Sequence, residues 1–438
     1  MLHNDEAKRG EAISRRKLLA SLGAAGLAAA AGAVLPGTVQ AATTTVNSLY
    51  YNVKDYGAAG NDRISSDDTA AIQAAIDAAA KARGGTVFFP PGQYTINSTI
   101  LLKSNVRLLG AGAEAASIKL SYNAGAIAML YGVDDISNLS VECLTLEGTG
   151  AASGTNNYMT LERGVTLQNV KNARVAGCVF KTIVNGIYLN NSTGVTVADC
   201  SFRMVVGAGG TYEGFGILCQ SGGSHLIQGN RFMGIGQSCI QLASGCSQTV
   251  VAGNFIESPQ STPIVLTSTE SICANNVIKD NVIAGAADSS ASYGILLSAY
   301  CYGTSITGNV VTGIAKAGIR LEGAPSVEKE RPNGNRVNGN AIRKTAVGIS
   351  VFNAEDNAIT DNDIRNVDDG IVLDASESGP GGFSRKNFVV GNGLFQCAKS
   401  AVKLMSPRCE GCGVFGNFGG SNGENLTDKG TGTVTAGF

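Results

Sequence analysis

The chain predicts an all-β fold, a solenoid of stacked coils that forms a parallel β-helix with a capping helix at its N-terminal end. Three observations carry this. A glycine, an aliphatic, a free position and a second aliphatic recur between Gly164 and Asn417. They appear as Gly186-Ile187-Tyr188-Leu189, Gly216-Ile217-Leu218-Cys219, Gly294-Ile295-Leu296-Leu297, Gly318-Ile319-Arg320-Leu321, Gly348-Ile349-Ser350-Val351 and Gly370-Ile371-Val372-Leu373. Each phrase is answered downstream by a second short strand. The answers align as one column, Cys178, Cys200, Asn230, Asn254, Asn281, Asn309, Asn340, Asn362, Asn392 and Asn417, at intervals of 22 to 31 residues. A repeat of that length built from period-2 strands is a stack of coils, each burying an apolar face only its neighbours can cover. Third, 58 glycines, no tryptophan and 15% charged residues suit thin coils with many tight turns. At 438 residues a compact globule would split into domains, whereas a solenoid grows along one axis.

Within a coil, alternation puts Ile187 and Leu189 inside and Tyr188 and Asn190 outside. The asparagine column has its own chemistry. A side-chain amide buried at a tight turn bonds to the backbone and to the amide of the next coil. The residue before it tolerates a left-handed turn: Gly229, Gly253, Gly308, Gly339 and Gly391, or Asp280 and Asp361.

Residues 1–41 are expected to be an export signal. Ser14-Arg15-Arg16-Lys17-Leu18-Leu19 is a twin-arginine motif, an Ala/Gly/Leu-rich core follows, and Val39-Gln40-Ala41 is a small-residue cleavage site. The core is too short and too mildly apolar for a spanning helix, so no stable membrane anchor is expected once the signal is removed. Export by that route predicts a secreted or cell-surface protein. Beyond residue 41 there remain 28 basic and 31 acidic residues, a balance that gives no footprint for nucleic acid. The twin-arginine route carries proteins folded under reducing conditions, so Cys178, Cys200, Cys219 and Cys239 are expected as buried thiols. Cys409-Glu410-Gly411-Cys412 is open to a local disulfide or half a metal site. With no second pair at suitable spacing and only His3 and His225 in the chain, no structural metal is expected.

Residues 42–50 form a linker, and residues 51–110 the entry to the solenoid. Ser65-Ser66-Asp67-Asp68 precedes a helical pattern whose apolar face is Ile72, Ala75, Ile76 and Ala79. Asp67 and Asp68 are expected to cap it. Gly84-Gly85 ends the helix and Thr86 to Ile96 gives the first coil. The helix body spans 111–420, with a C-terminal tail over 421–438.

The entry resembles a known signature. Val53-Lys54-Asp55-Tyr56-Gly57-Ala58, Asp67 to Ile76, Gly84-Gly85-Thr86-Val87 and Pro90-Pro91-Gly92-Gln93-Tyr94 are similar to the N-terminal segment of the pectate lyase superfamily, in its rhamnogalacturonase- and epimerase-like branch. The resemblance implies a right-handed parallel β-helix and, for most members, lyase, hydrolase or epimerase activity on acidic polysaccharides. The family's catalytic sets do not carry over. Polygalacturonase-like hydrolases have N-x-D, D-D, G-H-G and R-x-K motifs. Here Asn362-Asp363 and Asp368-Asp369 have no G-H-G beside them, and the histidine lies in Gly222-Gly223-Ser224-His225. Alginate-epimerase modules carry a Tyr-Gly-x-Asp-Pro-His segment, and the nearest stretch, Tyr212-Glu213-Gly214-Phe215-Gly216, lacks the Asp-Pro-His.

Candidate residues therefore rest on geometry. Outward positions Glu322, Phe352 and Asp374 fall in one column on three consecutive coils. At about 4.8 Å per coil, Glu322 and Asp374 lie roughly 9–10 Å apart at the backbone, near the spacing of an inverting glycosidase pair. Arg320 shares a face with Glu322 and is placed to bind or neutralise a uronate carboxylate. Two long charged loops, 324–335 and 375–387, flank the spot, and Arg331 and Lys386 are expected to reach substrate from them. A second region combines Tyr188, Tyr212 and Glu213 near Arg203 and His225, with tyrosine to stack on a sugar and histidine to act as base. The expected function is an exported lyase, hydrolase or epimerase acting on a pectin- or alginate-like polymer, with no certain cofactor and Ca2+ in the lyase case. The alternative is a non-catalytic glycan-binding or surface β-helix. The export signal argues against a phage tailspike.

Overall fold

The computed structural model describes residues 50–61, 66–151, 161–207, 213–286, 290–326 and 331–438; the export segment lies outside them. Strand pairing in this part is parallel and joins each coil to the next in register. One representative coil shows the plan. Asn185–Thr193 lies on a first face, Thr196–Ala198 on a second and Ser201–Val205 on a third. The first two faces run together as a 28-stranded sheet and the third is a 13-stranded sheet. Coils of three parallel faces stacked in register are the right-handed parallel β-helix that the entry signature implied.

The recurring phrase becomes a column. Ile187, Ile217, Ile240, Ile264, Ile295, Ile319, Ile349, Ile371 and Val402 are register partners along the first face, all fully buried. The glycine that opens each phrase is there for space. A Cβ on Gly186 would sit 2.4 Å from the carbonyl oxygen of Gly216 and 2.7 Å from the Phe202 ring. Behind it, Phe180, Phe202 and Phe232 stack on the third face at 4.7 Å centroid spacing. Aromatic pairs in offset-stacked contact add about 0.5–1.5 kcal/mol beyond the area they bury.

The asparagine column is a continuous hydrogen-bonded stack. The Oδ1 of Asn281 accepts from the backbone N–H and the Nδ2 of Asn254, at 3.0 and 2.9 Å. Its Nδ2 donates to Val251 O at 3.0 Å and to Asn309 Oδ1 at 2.9 Å. The pattern runs from Asn230 to Asn417, and at its top the Cys200 N–H donates to Asn230 Oδ1 at 3.0 Å. Preceding residues take the left-handed conformation expected of them, from Gly229 at φ 64° to Asp361 at φ 55°.

A second stack stands at the corner between the first and second faces. Ser192, His225, Thr249, Asn276, Asn335, Asn357 and Asn387 each accept a backbone N–H from the coil before.

At the entry, a helix spans Thr69–Lys81 and buries Ile72, Ala75, Ile76 and Ala79. The capping expectation holds for one aspartate only. Asp67 Oδ1 accepts the Thr69 N–H at 3.0 Å. Asp68 makes no side-chain bond to the helix; its carboxylate accepts Ala59 N–H at 2.6 Å and Thr95 N–H at 3.2 Å, tying the entry turn to the first coil. Among the described residues no helix is long and apolar enough to cross a membrane.

Candidate functional site

Register makes the outer surface of the first face a grid. One column holds Leu296, Arg320, Ser350, Val372 and Lys403, the next Glu322, Phe352 and Asp374. The column expected for the two carboxylates is therefore real, with Phe352 between them. A third column, of residues just before each opening glycine, brings Tyr293, Ala317, Val347 and Asp369 beside the first.

Arg320 is held from several sides. Its Nη1 donates to Ser350 Oγ at 2.6 Å and its Nη2 faces Glu322 Oε1 at 3.4 Å. Its guanidinium lies 4.9 Å from the Phe352 ring centroid and 5.8 Å from that of Tyr293. Flanked by rings and a hydroxyl, the cation is fixed in place rather than swinging on its stem, and the aromatic faces offset part of its desolvation. The Glu322 contact is the exposed, weaker one, its side chain 39% open, so little stability is lost when a ligand carboxylate replaces it. Asp374 Oδ1 accepts the Ala375 N–H at 2.9 Å, which leaves Oδ2 to other partners. One coil on, Lys403 Nζ lies 3.8 Å from Asp369 Oδ2. The sequence reading missed Tyr293 and Lys403, and weighed Asp369 only as half of Asp368-Asp369 and not as part of this surface. Their signal was the position immediately before the glycine, and the continuation of the Arg320 column past Val372.

The two long loops do flank this surface and are pinned together, Gly381 N–H donating to Pro325 O at 3.0 Å. Arg331 does not reach out from them. Its side chain is 2% exposed, pairs with Glu355 at 2.6 Å and donates to Pro380 O at 3.4 Å. A guanidinium that joins two loops and an adjacent coil is a buried strut, so the expectation that it touches substrate is corrected. Lys386 is exposed, in a left-handed turn at φ 49°.

In the second region, Tyr188 and Glu213 are both covered. Tyr188 is 5% exposed in an outer apolar cluster with Leu161, Val184, Phe215, Leu218 and Ala243, and its hydroxyl donates to Gln220 Oε1 at 2.7 Å. Glu213 is fully buried, and Tyr212 lies outside the described residues. The alternation rule turned Tyr188 outward correctly, but neighbouring apolar side chains cover it. Neither Tyr188 nor Glu213 offers a surface to a sugar.

His225 is not a surface base either. It is buried, and burial pulls its pKa down to about 4. Its ring and the thiols of Cys219 and Cys246 come within 4.8 Å of one another. The Val195 N–H donates to Nδ1 at 3.2 Å, which places the ring proton on Nε2, an atom with no hydrogen-bond partner. Ligation through Nε2 would turn an N–H at Nδ1 against the Val195 N–H, so the group is built as core. The hydrogen bond to Cys246 and burial together hold the Cys219 thiol well above its usual range. Cys409 and Cys412 are likewise free and buried.

Known proteins bear on this geometry. The model of a family described as rhamnogalacturonase A/epimerase, pectate lyase-like, matches residues 50–288. A model described as periplasmic copper-binding protein (NosD) matches residues 264–377 and 315–427. A mannuronan C5-epimerase of Azotobacter vinelandii, AlgE2, is 40% identical over 152 residues, 30% of this chain and 15% of the epimerase. Alginate lyase 7 of the same organism is 49% identical over 79 residues, 16% of this chain and 9% of the lyase. The chain thus spans a small part of the length of these relatives. Among solved structures, the A-module of the A. vinelandii mannuronan C5-epimerase AlgE4 superposes with a TM-score of 0.62 at 18% identity, covering 89% of this chain and 100% of the module. With more than half its length matched by that one family model, the chain belongs to the rhamnogalacturonase A/epimerase, pectate lyase-like family.

Proposed function

We propose that the chain acts on an acidic polysaccharide across the outer first face, with Arg320 binding a uronate carboxylate and Glu322 and Asp374 moving protons. The observation that carries this is the registered column Glu322–Phe352–Asp374 with Arg320 fixed against its aromatic member. A ring face beside a cation is the pairing an anionic sugar requires: the C–H face of the pyranose lies on Phe352 while its carboxylate meets the guanidinium. The incoming carboxylate takes the place of Glu322 at Nη2, which frees Glu322 at the step where a proton acceptor is needed. Neutralising the carboxylate acidifies the adjacent C–H, the reaction a lyase or an epimerase needs. In hydrolysis the same two carboxylates serve as acid and base around a water. Relatives named as mannuronan epimerases and an alginate lyase support a uronate polymer as substrate. The twin-arginine segment supports export to where such polymers lie. Calcium belongs to the lyase branch of the proposal, as counter-charge to the substrate.

The test is incubation with polymannuronate, polygalacturonate and neutral glycans, with and without a chelator. Unsaturated product, reducing ends and inverted units are read in parallel, and only a lyase leaves the unsaturated product. Glu322→Gln and Asp374→Asn keep shape and remove charge. Each is expected to cut turnover at least 100-fold at an unchanged melting temperature. Full activity in both variants places the chemistry elsewhere. A second reading, a non-catalytic glycan-binding protein, is favoured by the missing G-H-G and Asp-Pro-His segments; binding without any product from any polymer would establish it.

A further inference from the structure

Beside the first face, at the corner where the second stack stands, the coils form a narrow fourth ladder. Ala274, Tyr302, Asn333, Glu355, Arg385, Glu410 and Thr431 are register partners along it, one outward residue per coil. The residue that follows each of these turns is left-handed: Asn275 at φ 55°, Gly303 at 58°, Gly334 at 64°, Asp356 at 53° and Lys386 at 49°. Two successive members of that turn column are glycines, so two side chains are missing between Asn275 and Asp356. The gap is the floor of a concavity of about 930 Å3, whose walls include Tyr302, Asn333 and Glu355. A Cβ on Gly303 would meet Asn275 Oδ1 at 2.7 Å, whereas one on Gly334 would meet no atom within 4 Å, so the floor is open at Gly334.

The walls are set. Glu355 receives Arg331 Nη1 at 2.6 Å and Asn333 Nδ2 at 3.3 Å. Arg331 is itself locked by the loops, so Glu355 and Asn333, register partners on successive coils, are presented in fixed positions along one side of the Gly334 floor. Tyr302 stands one coil before Asn333 and is partly exposed. The span from Tyr302 to Glu355 is two coil steps, roughly 10 Å, about the length of a disaccharide.

We propose that this notch is a second glycan-binding surface, separate from the first-face column, that holds a stretch of polysaccharide against Tyr302, Asn333 and Glu355. An aromatic ring, an amide and a carboxylate on a bare backbone floor suit a chain of hydroxyls and C–H faces. The ring takes the apolar face of one sugar, and the amide and carboxylate take hydroxyls of the next. The role is retention of the polymer and not chemistry, since the one buried cation at the site is already paired.

The test is affinity electrophoresis of the full chain in gels containing polymannuronate, polygalacturonate or a neutral glucan. Gly334→Asn fills the floor with a residue that accepts a left-handed turn, as Asn275 does in the same column, and so leaves the fold intact. Gly334→Asn and Tyr302→Ala are each expected to weaken retention by one polymer at least fivefold, with thermal melts matching the wild type. Met233→Ala, a change at an exposed position of the third face away from both surfaces, is expected to keep that retention, which shows that the loss is local to the notch. Retention unchanged in both notch variants overturns the proposal. So does retention lost to the same extent in Met233→Ala, and so does a wild type that none of the three polymers retards.

Discussion

Replacing Asn281 by aspartate tests the stack that runs along the fold. The residue is fully buried, accepting two bonds and donating two. Aspartate keeps the accepted pair. In place of the donated pair it puts an oxygen against Val251 O at 3.0 Å and Asn309 Oδ1 at 2.9 Å. A buried carboxylate between two acceptors is relieved by taking up a proton, after which one O–H serves one of the two. The other acceptor is left unsatisfied, at about 1–3 kcal/mol. Protonation at pH 7 against an unfolded pKa near 3.9 costs a further ~4 kcal/mol. The sign follows from linkage. The folded variant keeps its proton while the unfolded chain releases it above pH 3.9, so the penalty grows with pH. Below that pH only the unsatisfied acceptor remains. The expected destabilisation relative to wild type is about 5–7 kcal/mol at pH 7 and about 1–3 kcal/mol near pH 4. Urea unfolding of both proteins at the two pH values measures it, and groups common to both cancel. An equal loss at the two pH values, or none, would refute the stacked-amide reasoning.

Two further outcomes follow from buried groups. His225, at about 4 against 6.5, contributes stability that is present above pH 6.5 and lost as the pH falls toward 4, about 2 kcal/mol of it by pH 5. His225→Asn, the residue at the same slot as Asn276 and Asn335, should remove that pH dependence; urea midpoints at pH 7.5 and 5 decide it, and an unchanged slope in the variant contradicts the assignment. Of the eleven cysteines only Cys143 is not buried, so native thiol labelling should modify it first and the other ten only on denaturation. Rapid native labelling of Cys178, Cys200, Cys219 or Cys239 would contradict their place in the core.

What could be read in the sequence depended on how narrow each slot's demand is. The asparagine slot requires an acceptor and two donors in one short side chain, so only one residue type fills it well and the column is visible as a column. The second stack asks only that something accept one N–H. Serine, histidine, threonine and asparagine all do so, at Ser192, His225, Thr249 and Asn276, and no single letter marks it. Register was legible for the same reason as the core. Once Ile319, Ile349 and Ile371 are buried in one column, Glu322, Phe352 and Asp374 must share another. Arg331 was illegible because an arginine on a loop is buried only when two loops and a neighbouring coil meet over it. Gly381 touching Pro325 across 56 positions of sequence leaves no local trace. Tyr188 failed likewise, through residues such as Leu161 and Phe215 that alternation does not address.

That buried arginine also governs how variants near the two surfaces should be read. Arg331 touches Glu355 in the wall of the notch and Pro380 in the loop that starts at Asp374, the end of the first-face column. Removing it leaves Glu355, whose side chain is 30% exposed, without its partner beside a loop that has lost its strut, which destabilises both. An Arg331 variant would therefore lower turnover and retention together without either surface having used it. Glu355→Gln is the milder perturbation, since the amide oxygen still accepts from Arg331 while the charge presented to the notch and the Asn333 Nδ2 bond are lost. A change in retention with turnover intact in that variant belongs to the notch, and a fall in both belongs to the strut.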